Sequence, residues 1–150
     1  MRFRKITTED AAFLDEIFSV PEYALYFAEN DTTQEEWRER IAAYYLSARS
    51  YIVSDGEEKV GWIMYSIEED TCSIDIIVLH PQKRYLGYGK AIFSDLIAAN
   101  PDIRRIKLDV QKRNKTALSF YRTLGFVVEG EEMQPVGESE EPYCNLSLTL

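Results

Sequence analysis

The spacing of apolar and polar positions changes several times along the chain, and each change marks an element. A short strand over residues 2–6 opens it. Thr8 then caps a helix running to about Phe18, with Leu14, Ile17 and Phe18 on its apolar side. Val20-Pro21 ends that helix, because a proline pushes the residue before it out of helical geometry. Residues 22–30 read as aromatic and irregular, with Tyr23, Tyr26 and Phe27 grouped. Asp31 or Thr32 starts a second helix, in which Trp37, Ile41, Tyr44, Tyr45 and Ala48 recur at helical spacing.

Strand patterns follow. Residues 51–54 and 59–67 flank Asp55-Gly56, a turn-forming pair that predicts a hairpin with a loop longer than two residues. Residues 71–79 form the most apolar strand, and the run Ile76-Ile77-Val78-Leu79 predicts burial on both faces. A glycine-containing loop leads into a helix over residues 87–99 carrying Ile92, Phe93, Leu96 and Ile97, stopped by Asn100-Pro101. A strand over 106–111 and a helix over 115–124 come next, the helix closed by Gly125. Strands over 126–132 and 143–148 bracket a polar loop with Pro135, Gly137 and Pro142.

The order is thus β-α-α-β-β-β-α-β-α-β-β. Strand, crossover helix and strand between residues 71 and 111 imply one parallel pair in an otherwise antiparallel sheet. The fold class expected is α/β with a mixed sheet and helices on both faces. The 150 residues show no repeat, low-complexity tract or long linker, so one domain over 1–150 is expected.

Charge narrows the function. With 17 basic and 26 acidic residues, the net charge of -9 argues against nucleic acid as a partner and suits a cationic ligand. Hydrophobic residues at 45% leave no room for disorder, yet no apolar run reaches transmembrane length, so no membrane partner is expected. The amino terminus lacks the apolar core of a signal peptide, and Cys72 and Cys144 lack CxxC spacing. A reduced, cytoplasmic protein without a disulfide framework is the expectation. His80 is the only histidine, which rules out a His/Cys zinc site; no metal is expected.

The candidate chemistry starts at Arg84-Tyr85-Leu86-Gly87-Tyr88-Gly89-Lys90, between the most buried strand and an amphipathic helix. Glycines there let the backbone approach a ligand and turn N–H groups inward, and the helix start adds partial positive charge, so a pyrophosphate fits. Arg84 and Lys90 could add direct charge. The GxxxxGK[ST] loop and the full GxGxxG fingerprint are both absent.

The segment from Pro81 to Ala91 resembles the acetyl-CoA motif of the GNAT acetyltransferase superfamily, [R/Q]-x-x-G-x-[G/A]. Leu108-Asp109-Val110 followed by Asn114, Ala117, Tyr121 and Gly125-Phe126 resembles the segment that follows it in the family, and the element order matches that fold across the chain. Tyr85 replaces a common glycine and Leu86 a more usual polar residue. Backbone binding tolerates both.

The resemblance implies an acetyl-CoA-dependent N-acetyltransferase acting on a primary amine of a small molecule or peptide, with some likeness to the aminoglycoside and ribosomal-protein branches. It implies that Ile77, Val78 and Leu79 pair through their backbone with the pantetheine arm, that an N–H near Leu79 polarises the acetyl carbonyl, and that residues 84–90 hold the pyrophosphate. Asn114 would cap its helix and hold the cofactor arm, and Tyr121 would protonate the departing thiolate. Tyr121 also fits an apolar helical stripe with Ala117, Phe120 and Leu124. Asp75 interrupts an apolar strand, and some family members use an acidic residue near this position. It could accept the amine proton, bind a cationic acceptor, or pair with Arg84 or Lys107. By period two, Asp75, Ile77 and Leu79 share a face. His80 ranks second as a base. Tyr23, Tyr26 and Phe27 fall where the family shapes its acceptor pocket. A protein N-terminal acetyltransferase and a non-catalytic acyl-CoA-binding module are the alternatives. Small members of the family often pair as homodimers, and the sequence leaves that state open.

Overall fold

The computed structural model describes residues 1–27 and 32–150. In chain order the elements are β1 (Arg2–Lys5), a 3-10 turn (Thr8–Asp10), α1 (Ala11–Ile17), α2 (Pro21–Phe27) and α3 (Gln34–Arg40), which continues as a π-helical turn (Ile41–Tyr45). Strands β2 (Arg49–Asp55), β3 (Glu58–Glu68) and β4 (Thr71–Leu79) follow. After a 3-10 turn (Pro81–Lys83) come α4 (Tyr88–Ala99), β5 (Arg105–Gln111), α5 (Lys115–Thr123), β6 (Val127–Val136) and β7 (Ser139–Thr149). The seven strands form one sheet in the order β1-β2-β3-β4-β5-β7-β6. All pairs are antiparallel except β4 with β5, as the crossover through α4 requires.

Each face of the sheet is covered. On one, Ile92, Phe93 and Leu96 of α4 and Leu118 and Tyr121 of α5 pack on Val53, Ile63, Ile74, Ile106 and Leu108. On the other, Leu14 and Ile17 of α1, Trp37 of α3 and Ile41 pack on Ile52, Trp62 and Val78. The entry to α1 is pinned by Asp10, only 2% exposed, which accepts from Arg4 at 2.7 Å and from the Thr7 N–H at 2.8 Å. Burial alone would push its carboxyl up. The bonds from Arg4 and Thr7 outweigh that and hold it below the ordinary value.

Several expectations need correction. Residues 22–30 were expected to be irregular, but α2 occupies Pro21–Phe27, adding a helix to the order, while residues 28–30 lie outside the described residues. Proline at its first position is pre-set for a helix, and Tyr23 and Phe27, one turn apart, both pack edge-on against Phe18. The next helix is capped by Thr33, whose hydroxyl accepts from the Glu36 N–H, rather than by Asp31 or Thr32. Asp31 lies outside the described residues. The β2–β3 loop is Gly56-Glu57, two residues, made tight by Gly56 at φ +61°. Finally, β6 and β7 run through Pro135 and Pro142 and leave only Gly137-Glu138 as a turn. Proline is tolerated there because β6 is the sheet edge and Pro142 lies one residue past the end of the β5 pairing.

Candidate active site

The parallel pairing of β4 with β5 covers only Thr71–Ser73 against Arg105–Lys107. Beyond it β4 continues beside β3 to Leu79, and β5 continues beside β7 to Gln111. The two central strands therefore part, and beyond that point their facing edges have no strand partner among the described residues. The break coincides with a bulge. Met64 pairs with Ile76 and Tyr65 with Ile74, so Asp75 is the extra residue.

The bulge breaks strict alternation along β4, while Ile77 and Leu79 share a face as expected. Cys72 and Ile74 pack with the α4–α5 core, and so do Ile77 and Leu79, whereas Ile76 and Val78 turn to the α1–α3 side. Strict alternation through Asp75 would not give this. Beyond the bulge the orientation of the peptide groups is also settled. His80 N donates to Val60 O at 2.8 Å, so Leu79 and Ile77, one and three residues earlier, direct N–H and C=O away from β3. The Leu79 carbonyl accepts there from the Tyr23 hydroxyl at 2.6 Å. Burial pushes that phenol up to about 12, which keeps it a donor.

A cavity of about 860 Å³ occupies the opening. Asp75 and Ile77 line it from β4, Asn114 and Tyr121 from the start and body of α5, and Tyr26 and Phe27 from α2. The Asn114 side chain accepts from the Ala117 N–H at 3.2 Å, which caps α5 and fixes where Tyr121 falls one turn further on. The Tyr121 ring is held by Phe93, Phe120 and Phe126. Its hydroxyl has no hydrogen-bond partner among the described residues, and burial pushes the phenol well above its ordinary value. Asp75 is exposed to the cavity, and burial of its surroundings raises its carboxyl. It has no ion-pair partner among the described residues. Arg84 pairs instead with Glu22, so the pairing considered from sequence is not formed.

The opposite wall is polar and was not singled out from sequence. Asp109 accepts from Asn145 Nδ2 at 2.8 Å and Gln134 Nε2 at 2.9 Å, and Glu132 accepts from the same two amides at 3.2 and 2.7 Å. Neither carboxylate has a cationic partner among the described residues. Glu129, in the same wall, is bound to Arg105, and among the described residues Lys107 is the one basic residue lining the cavity. Polar residues at period two in β5 (Lys107, Asp109, Gln111) between apolar ones (Ile106, Leu108, Val110) were the available signal.

The glycine loop follows β4 outside the cavity wall. Tyr85 and Gly87 have φ of +62° and +86°, and Gly87 stands at the N-cap of α4. Among the described residues the N–H groups of residues 85–90 find no protein acceptor. Alternating backbone handedness with free N–H groups at a helix start is a geometry suited to an anion. A Cβ on Gly89 would sit 2.8 Å from Phe120 Cζ, so glycine lets the start of α4 lie against α5. Tyr85 and Leu86 are exposed, Tyr88 donates to Asp55 at 2.8 Å, and Lys90 is free of ion pairs among the described residues. His80 is held away from the cavity. Its Nδ1 accepts from the Gln82 N–H, its Nε2 lies 3.4 Å from Glu16, and its ring stacks on Phe13. Among the described residues no group of three or more His, Cys, Asp or Glu side chains is placed to hold a metal, and no helix is long and apolar enough to cross a membrane.

The fold is a seven-stranded mixed sheet whose parallel pair parts, with a positive-φ glycine loop following one arm. The model of the acetyltransferase (GNAT) family matches residues 11–126, and the chain belongs to that family. No curated protein matches by sequence. A GNAT-family acetyltransferase from Bacillus anthracis superposes with a TM-score of 0.79 at 20% identity, over 98% of this chain and 93% of that one. Spermidine N-acetyltransferase from Vibrio cholerae, in complex with CoA and spermine, gives 0.78 at 16%, over 99% and 94%. An aminoglycoside acetyltransferase in complex with coenzyme A gives 0.75 at 20%, over 98% and 93%. At these identities the likeness is one of fold.

Proposed function

We propose that this protein transfers the acetyl group of acetyl-CoA directly to a primary amine of a cationic small molecule or peptide. The observation that carries this reading is the parting of β4 and β5. It joins an open strand edge, an unpaired phenol and an unpaired carboxylate in one opening, with the anion loop following β4. The free N–H groups of residues 85–90 fit a pyrophosphate, with Lys90 adding charge. The open edge at Ile77 and Leu79 fits the amide-bearing pantetheine arm, and Asn114 stands beside it. Bound acetyl-CoA supplies an activated thioester.

This chain's residues do the rest. The Leu79 N–H, aimed at the open edge, donates to the thioester oxygen as negative charge develops there. Asp75 takes a proton from the acceptor's ammonium, directly or through water, so that the neutral amine attacks. As the C–S bond breaks, Tyr121 gives its proton to the departing thiolate and regains one from the new amide nitrogen through water. With Asp109 and Glu132 across the cavity from Asp75 and without a cationic partner among the described residues, the cavity favours an acceptor carrying positive charge. Spermidine and aminoglycosides, the acceptors in the names of two structural neighbours, are of that kind.

Asp75 gives a test with opposed signs. Its folded carboxyl is raised, so the native state holds the proton more tightly than the unfolded chain, and Asp75 destabilises the fold as pH rises past about 4. Asp75→Asn is therefore expected to unfold at slightly higher temperature at neutral pH. It should also lose about tenfold to a hundredfold in kcat/KM for amine-dependent thiol release. A loss of both stability and activity would make Asp75 a structural residue instead.

A further inference from the structure

Helix α2 is attached to both arms of the opening. On the β4 side, Tyr23 bonds the Leu79 carbonyl, and Arg84 Nη1 donates to Glu22 at 2.8 Å while its guanidinium lies 5.3 Å over the Tyr23 ring. On the β5 side, Gln111 Nε2 donates to the Tyr26 carbonyl at 3.0 Å, and Arg113 Nη2 donates to the Leu25 carbonyl at 3.1 Å. Gln111 is 3% exposed and is fixed in turn by Arg113 Nε at 2.7 Å and by the Tyr143 hydroxyl at 3.3 Å. The helix between these attachments carries Tyr26 and Phe27 into the cavity wall.

We propose that α2 is a brace across the parted strands, and that Arg84 is a positioning residue that transmits occupancy of the anion loop through Glu22 to the acceptor wall. The inference rests on the reading of residues 84–90 as the CoA site. A helix of seven residues is marginal by itself, so its order depends on these attachments. The β5 attachments spring from a buried side chain in a strand. The Arg84 attachment springs from a loop whose neighbouring N–H groups have no acceptor among the described residues, and Arg84 Nε is itself buried without a hydrogen-bond partner among them. Anion binding at those N–H groups immobilises the backbone from which Arg84 reaches α2. The guanidinium, engaged by Glu22 and by the Tyr23 and Tyr85 rings, acts on α2 rather than as a phosphate ligand.

Hydrogen exchange of the intact protein, followed by mass spectrometry with and without CoA, tests this without a known acceptor. In the unsubstituted protein, saturating CoA is expected to slow exchange of the α2 amides about tenfold. Glu22→Gln is expected to lose that slowing. It should bind CoA within about twofold of normal, because α2 is already folded without the ligand and there is little population left to shift. Glu35→Gln, which removes an exposed pair with Arg38 on α3, should keep the slowing. Equal slowing in Glu22→Gln, or none in the unsubstituted protein despite bound CoA, would overturn the proposal. Failure of the unsubstituted protein to bind CoA at all would overturn the CoA-site reading, and this inference with it.

Discussion

Tyr121→Phe is expected to lower kcat for acetyl transfer by about a hundredfold to a thousandfold, with KM for acetyl-CoA changed less than about twofold. The substitution deletes one oxygen. Packing against Phe93, Phe120 and Phe126 is retained, and the lost hydroxyl leaves no protein group unsatisfied. Stability should therefore hold or rise slightly. Because burial raises the phenol above its ordinary value of about 10, Tyr121 stays protonated through the neutral and mildly alkaline range. No descending limb of the rate profile should arise from it there. The ascending limb should come from Asp75, displaced upward from an ordinary carboxylate by its surroundings. If Tyr121 were only core, steady-state kinetics of the phenylalanine variant would match the unsubstituted protein.

Gly61→Ala is expected to cost about 2–3 kcal/mol of stability and to impair acetyl transfer as well. A Cβ at Gly61 would lie 2.4 Å from the Val78 carbonyl oxygen and 3.3 Å from Leu79 Cα. Both neighbours are backbone, so no side-chain rotation relieves the clash; β3 and β4 must separate. Gly61 faces Leu79, whose peptide group is directed to the open edge. The same displacement thus moves the N–H proposed to face the thioester. Urea denaturation read beside the transfer rate checks both effects, and a variant within about 0.5 kcal/mol of the unsubstituted protein would contradict the packing argument.

Local features of this protein were legible from residue order, and features made by pairing were not. The turn into α4 needs only a glycine at positive φ before a helix, and the α5 cap only Asn114 three residues before Ala117. Both are short-range, and both stand where the pattern put them. The bulge at Asp75 is different. Ile74-Asp75-Ile76 reads as ordinary alternation, and only the register against Met64 and Tyr65 shows the extra residue. Helix α2 was obscured because its aromatic residues do not look like a narrow apolar stripe, although Pro21-Glu22 is a good helix start. The polar wall is assembled from three strands. Asp109 meets Asn145 by β5–β7 pairing, and Glu132 joins them from β6 across the hairpin. No spacing along the chain brings those residues together.

The central claim is catalysis of amine acetylation at the opening between β4 and β5. Thiol release from acetyl-CoA, measured with a panel running from neutral and monocationic amines to polyamines, aminoglycosides and peptides, tests it most directly. The account expects release that depends on the acceptor and is fastest with acceptors carrying further positive charge. Tight CoA binding with no acceptor-dependent release across the panel would contradict it and make the protein an acyl-CoA-binding module.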